Sequence, residues 1–211
     1  GVFGPSGSGK STLARILAGT EQLNSDEYNI NGKCFTKMDT VSFRSQISYV
    51  QQEPFLFSVP IAENIDFSEN SHEISKLKST TDLAVISHDI ERFTEKYDTL
   101  VGERGVVLSG GQKTRLALSR AFFKPHSFLI LDDVLSAVDH ETEQTLIKNL
   151  QKDKDFRTTV IISHRISALT QCDNIIVLDQ GRIIDQGTHN DLIKKDGLYK
   201  FSWQYQKMTN D

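Results

Sequence analysis

The chain has 211 residues, 37% hydrophobic and 25% charged, with a formal net charge of −4. That length supports one large domain or a core with an inserted subdomain. Mild acidity without a dominant basic block argues against nucleic acid as the main partner, and no apolar run approaches the about 18–20 residues that span a bilayer.

Val2 and Phe3 read as the end of a strand whose start lies earlier, so the chain is taken as part of a longer polypeptide. Good helix formers run from Ser11 to Ala18, with Gly19 at a C-cap position. Cys34 and Cys172 lie far apart, match no metal-binding spacing and read as reduced thiols. Residues 46–50, QISYV, predict a strand. From about Ile61 to Phe93 the pattern is polar and helical, without a buried-strand signal. Residues 127–132, 158–163 and 174–179 are apolar runs of the kind that form parallel strands buried on both faces. Asp179-Gln-Gly-Arg182 predicts a turn, and GRIIDQG an edge hairpin. Helices over 188–195 and 197–207 close the chain. The fold expected is therefore α/β, with a parallel-sheet core and an inserted helical subdomain.

Gly4-Pro-Ser-Gly-Ser-Gly-Lys-Ser11 fits the phosphate-loop pattern G-x-x-x-x-G-K-[ST], after a strand end and before a helix. Glycines let the backbone curl until several N–H groups converge on phosphate oxygens. The helix N-terminus adds the positive end of its dipole. Lys10 supplies a full charge to the outer phosphates, and the Ser11 hydroxyl is suited to Mg²⁺. Gly4, Ser6, Gly7, Ser8, Gly9, Lys10, Ser11 and Thr12 form the predicted ATP-binding set.

A second Mg²⁺ anchor is needed at the end of a neighbouring strand. Asp132, closing SFLILD, is the candidate. Asp133, directly after it, is placed to face the γ-phosphate and to orient or deprotonate the attacking water. The plainer reading of Asp133 is a cap on the following turn.

Leu108-Ser-Gly-Gly-Gln112 opens another helix with a serine and two glycines, a second anion-binding helix end in one chain. LSGGQ is the signature of ATP-binding cassette proteins, and the whole chain closely resembles their nucleotide-binding domain. The resemblance implies a P-loop NTPase core of RecA-like type over residues 1–60 and 121–211. It implies a helical subdomain over 61–120 that carries the signature, all within one domain truncated at its N-terminus. It further implies that Ser109, Gly110, Gly111 and Gln112 serve the ATP site of a second such domain. Gln52, in YVQQEPFLF, resembles the Q-loop glutamine, a contact to Mg²⁺ and water. Ser136-Ala-Val-Asp139 resembles the D-loop, with Asp139 at the dimer interface. His164, in IISHR, resembles the switch histidine at the γ-phosphate. Thr99-Leu-Val-Gly-Glu-Arg-Gly105 resembles the loop that precedes the signature in exporters.

The chain departs from the family pattern in several places. The aromatic residue that stacks on adenine is not in this sequence. Gln51 stands where proline is usual, and Val59-Pro60 where a Gly-Thr pair is usual. Asp133 stands where the catalytic glutamate is expected. Aspartate is one methylene shorter, which leaves a general base roughly an ångström short of its water.

The resemblance thus implies an ATPase domain using ATP and Mg²⁺ at the cytoplasmic face of a membrane. It implies transmembrane domains upstream in the same polypeptide and a second nucleotide-binding domain; Asp133 points to a non-identical partner, the rival being a homodimer in which Asp133 is a slow but working base. Phe55 and Phe57, beside Gln52, are candidates for the transmembrane docking groove, or else core aromatics. The alternatives are an ABC ATPase without a membrane partner and an ATP-dependent regulatory module.

Overall fold

The computed structural model describes residues 1–21, 29–30, 33–34, 39–67, 73–102, 105–152 and 158–209. They group into two compact units. One comprises Gly1–Tyr49, His126–Asp132 and Thr158–Asp211; the other comprises Val50–Pro125 and Asp133–Arg157.

The first unit is built on a six-stranded sheet. Its strands are β1 (Val2–Phe3), β4 (Ile47–Val50), β5 (Phe128–Asp132), β6 (Thr158–Ile162), β7 (Ile175–Asp179) and β8 (Arg182–Gly187). They lie in the order β4-β5-β6-β1-β7-β8. β5, β6, β1 and β7 pair in parallel, with Ile130 opposite Val160 and Val2 opposite both Ile162 and Ile176. β8 runs antiparallel to β7 at the edge, through a turn in which Gln180 and Gly181 both have positive φ. The apolar runs read from the sequence thus become inner strands, and GRIIDQG the edge.

Helix α1 (Lys10–Leu17) and its C-cap Ala18 pack Ala14 and Ala18 into a core formed with Val2, Ile47, Ile130, Ile162 and Leu178. Small residues on α1 let the helix seat closely on the strands. Because β1 lies between β6 and β7, the loop after it opens where the chain's connections diverge, the usual ligand-binding edge of an open α/β sheet. A small hairpin of β2 (Asn29–Ile30) and β3 (Lys33–Cys34) and the short helix α2 (Thr40–Ser45) precede β4. Helices α8 (His189–Leu192) and α9 (Leu198–Thr209) end the unit. Buried Tyr199 of α9 meets Phe3 of β1 edge-on, with ring centroids 5.3 Å apart.

The second unit is helical: α3 (Ile61–Ile65), α4 (Ile74–Leu83), α5 (Ser87–Glu91), α6 (Gly110–Phe123) and α7 (His140–Lys152). α6 packs against α3 and α4, and α4 against α7. Ile61, Ile65, Leu77, Ile86, Ile90, Leu116, Leu118 and Leu146 fill its interior. The residues from 61 to 93 read as polar from the sequence, yet each short helix turns an apolar side inward. Asn64 is fully buried among them. Its side chain accepts the Phe57 N–H at 2.9 Å and donates to the carbonyls of Phe57 and Val59, so both polar atoms of its amide are satisfied.

Candidate functional site

In the first unit the phosphate loop joins β1 to α1. Gly9, the N-cap of α1, has φ 99°, and no side chain caps the helix. This left-handed geometry needs glycine, and it leaves the first turn's N–H groups without a side-chain acceptor. Gly4 is required for a different reason: a Cβ there would lie 2.3 Å from the Leu178 carbonyl oxygen and 2.6 Å from Ser8 Oγ. Lys10 bends back over its own loop, its Nζ donating to the carbonyls of Gly4 and Pro5 at 2.8 Å each. These are carbonyl contacts that a phosphate can replace with stronger, charge-assisted ones.

Asp132 ends β5 almost completely buried, 3% exposed. The Ser11 hydroxyl donates to its Oδ1 at 3.1 Å, and the Tyr49 hydroxyl to its Oδ2 at 3.2 Å. Two donors on two different oxygens fix the carboxylate plane. Burial, together with the Asp132 charge, pushes the Tyr49 hydroxyl up to about 12, so it remains protonated and a donor. Tyr49 carried no signal in the sequence beyond its strand. The donor set of a serine hydroxyl and a carboxylate is all hard oxygen, which fits Mg²⁺. That ion needs only one or two carboxylates when phosphates complete its shell. Among the described residues no cluster of His, Cys, Asp and Glu offers a richer metal cage.

His164 follows β6 in the same unit, on a loop whose start is tied to the sheet. The Ser163 N–H donates to the Val2 carbonyl at 3.1 Å, just ahead of the phosphate loop, and buried Ser163 Oγ accepts the Arg165 N–H. His164 itself is exposed.

The remaining predicted residues belong to the second unit. The Asp133 backbone is left-handed, φ 54°, a conformation that aspartate tolerates better than most side chains. Its carbonyl accepts the Ser136 hydroxyl at 2.6 Å and the Ser136 N–H at 3.3 Å. Gln52 Nε2 lies 3.4 Å from Asp133 Oδ2. Asp139 caps α7: Oδ1 accepts the Thr142 N–H at 2.9 Å and Oδ2 the Thr142 hydroxyl at 2.7 Å. Those bonds hold its carboxyl below the usual range.

The signature opens α6 through a reciprocal capping box. Ser109 Oγ accepts the Gln112 N–H, and Gln112 Oε1 accepts the Ser109 N–H at 2.9 Å. Gln112 Nε2 then donates to Asp89 Oδ1 at 2.9 Å, while Arg115 forms an ion pair with Asp89 Oδ2 at 2.8 Å. Gln112 thus spends both ends of its amide inside its own chain. A Cβ on Gly111 would press on the Ala137 carbonyl at 3.1 Å. Asp89 lay unremarked in the sequence because a lone acid in a polar helix has no local mark.

Beside these residues lies a groove of about 570 Å³ lined by Pro54, Phe55, Leu56, Val101, Val107 and Lys113, among others. Phe55 is 69% exposed and Phe57 46%, so neither is a core residue. With Phe67 they form an edge-to-face series, and the Arg120 guanidinium lies over the Phe57 and Phe67 rings. Arg120 also donates to the Phe55 and Asn64 carbonyls, at 3.0 and 2.7 Å. Of the loop Thr99–Gly105 expected ahead of the signature, residues 103–104 lie outside the described residues. Among the described residues no helix is long and apolar enough to cross a membrane.

A family model for ABC transporters matches residues 1–136. The multidrug resistance-like ATP-binding protein MdlA of Buchnera aphidicola is 41% identical over 212 residues, covering all of this chain. MdlA of Escherichia coli is 40% identical over 208 residues, or 99% of the chain. The ATM1-type heavy metal exporter of Novosphingobium aromaticivorans is 38% identical over 97% of it. The chain spans 36%, 35% and 34% of those proteins' lengths, about a third. Among solved structures, a bacterial Atm1-family ABC exporter with ATP bound matches 97% of the chain at 38% identity and a TM-score of 0.91, the chain covering 36% of it. With a phosphate-loop sequence, an LSGGQ helix and a buried Asp132 ending β5 in this order, the chain belongs to the ABC transporter family, as an ATP-binding domain of its ATPase type.

Proposed function

We propose that this chain is the ATP-hydrolysing domain of a membrane exporter. Its own phosphate-loop site hydrolyses slowly, and its signature segment completes a faster site on a non-identical partner. ATP closes the two domains head to tail, each phosphate loop facing the other's LSGGQ helix. Lys10 and the loop N–H groups bind the phosphates, Ser11 and Asp132 would hold Mg²⁺, and Gln52 is assigned to the same ion by the family resemblance alone. An ion held there would supply positive charge against that of the nucleotide's phosphates. His164 contacts the γ-phosphate, and Asp139 meets the partner across the dimer interface. The exposed Phe55 and Phe57 and the groove beside them receive the transmembrane domains, at the cytoplasmic face of the membrane.

The observation that carries the slow-site reading is the pinned backbone of Asp133. Its left-handed φ and the two Ser136 bonds on its carbonyl oppose any shift that would make up for the missing methylene. A base displaced by about an ångström loses on the order of a hundredfold in rate. The signature, by contrast, is intact and rigidly capped.

The test is ATP turnover of the full-length protein, alone and with its partner, for Asp133→Glu and Asp133→Asn. Asp133→Glu is expected to raise turnover strongly, on the order of a hundredfold if base length is the main defect. Asp133→Asn is expected to change the already slow site little. Normal exporter turnover by the protein alone, abolished in Asp133→Asn, defeats the slow-site reading.

A further inference from the structure

Gln206 lies on α9, 42 residues beyond His164, and its amide grips the His164 loop at both ends. Its Nε2 donates to the His164 carbonyl at 2.7 Å, and its Oε1 accepts the Ile166 N–H at 2.9 Å. These are the backbone groups on either side of Arg165. Ile166 opens a short 3₁₀ turn, Ile166–Leu169, whose first N–H would otherwise need an outside acceptor. A planar amide that pairs with a carbonyl and an N–H at once fixes both the position and the orientation of that backbone. His164 has no freedom to shift without breaking one bond or the other.

The rest of α9 holds Gln206 in place. Tyr199, Trp203 and Gln206, at helical spacing of four and then three, share one face. Tyr199 is buried against Phe3 and bonds His189 Nδ1 at 2.9 Å; Trp203 meets the His189 ring edge-on at 4.9 Å. Phe3 directly precedes the phosphate loop and Ser163 directly precedes His164. One helix is therefore anchored next to the phosphate loop by Tyr199 and holds the histidine loop by Gln206.

We infer that Gln206 is a positioning residue for His164, so that helix α9 sets where the histidine meets the terminal phosphate. The inference rests on the γ-phosphate role proposed for His164. Gln206 touches no nucleotide in this scheme; it acts only through the backbone that carries the histidine.

The test compares ATP with ADP in the full-length protein, using fluorescent analogues of both nucleotides in binding titrations. A helix that merely stabilised the fold would alter both affinities together. Gln206→Ala is expected to weaken ATP binding roughly two- to tenfold, the range for one lost hydrogen bond, with ADP binding unchanged. Gln206→Glu keeps the acceptor for Ile166 but loses the donor to His164, and it should fall in the same direction. His164→Ala is the reference, and Gln206→Ala added to it should change the ATP-to-ADP ratio no further. If His164→Ala lowers that ratio but neither Gln206 variant does, the inference fails alone. Equal losses for ATP and ADP in the Gln206 variants also overturn it. If His164→Ala leaves the ratio untouched, the γ-phosphate role fails and takes this inference with it.

Discussion

Two helices of this chain begin at runs of glycine and serine, and they begin in opposite ways. α1 starts from Gly9 in a left-handed conformation with no side-chain cap. α6 starts from Ser109 in a complete capping box, and Gln112 is tied again to Asp89. In α1 the backbone orients the N–H groups and, among the described residues, no side chain caps them, so an anionic ligand can. In α6 the side chains close on one another and stiffen the turn that presents Gly110 and Gly111. In the proposed scheme the same residue types build a receptor in one unit and a rigid probe in the other. Preorganisation serves both, since neither has to be ordered at the moment of contact.

The largest expected effect breaks the receptor side. Lys10→Ala removes a full positive charge bonded to the loop, with its contacts to Gly4 and Pro5. Losing a charge-assisted contact of about 1.5–3 kcal/mol should weaken ATP binding roughly 10- to 150-fold. Titration with a fluorescent nucleotide analogue checks this. No single change on α6 should affect binding at this chain's own phosphate loop to that degree.

The phosphate loop could be read directly from the sequence because its function lies in the backbone, and only a few residue types permit that backbone. The inner strands were legible because strands buried on both faces cannot avoid continuous apolar runs. The supports of the site were not. Tyr49 reaches Asp132 across 83 residues, Arg120 reaches Asn64 across 56, Gln206 reaches His164 across 42, and Gln112 reaches Asp89 across 23. None of these pairs shares a period or a spacing, so nothing local marks them. Asn64 is the clearest case. In a polar helical stretch it reads as a surface residue, yet its amide organises the segment from Phe57 to Pro60 from inside the fold.

Next in size is the test of the probe side. Asp89→Ala removes the acceptor of both Gln112 and Arg115, whose side chain is only 16% exposed. Leaving a half-buried donor pair unsatisfied costs about 1–3 kcal/mol, read as a lower midpoint in urea unfolding at unchanged slope. Partner-dependent ATP turnover should fall as well, because the α6 start loses its outer brace. ATP affinity at this chain's own phosphate loop should stay as it is. A variant that unbraces α6 yet leaves partner-dependent turnover intact would show that the rigidity of the signature does not matter.

The smallest expected effects come from the two glycines that open the helices, and their signs should differ. Gly9→Ala forces a side chain into φ 99°, at a cost of about 1–2 kcal/mol, although its Cβ would make only an ordinary contact, 3.8 Å from Gly181 Cα. Gly110 lies at the first position of α6 with nothing within 4 Å of a Cβ built there. Alanine should therefore stabilise that helix by a few tenths to about 1 kcal/mol. If the α6 start were only structural, Gly110→Ala would be a harmless improvement. In the proposed scheme the same Cβ stands where a partner's nucleotide must approach the backbone closely. Thermal unfolding and partner-dependent turnover, measured on one preparation, should then move in opposite directions: a higher melting temperature with slower turnover. A rise in both would remove Gly110 from the trans site and leave α6 a well-capped helix and nothing more.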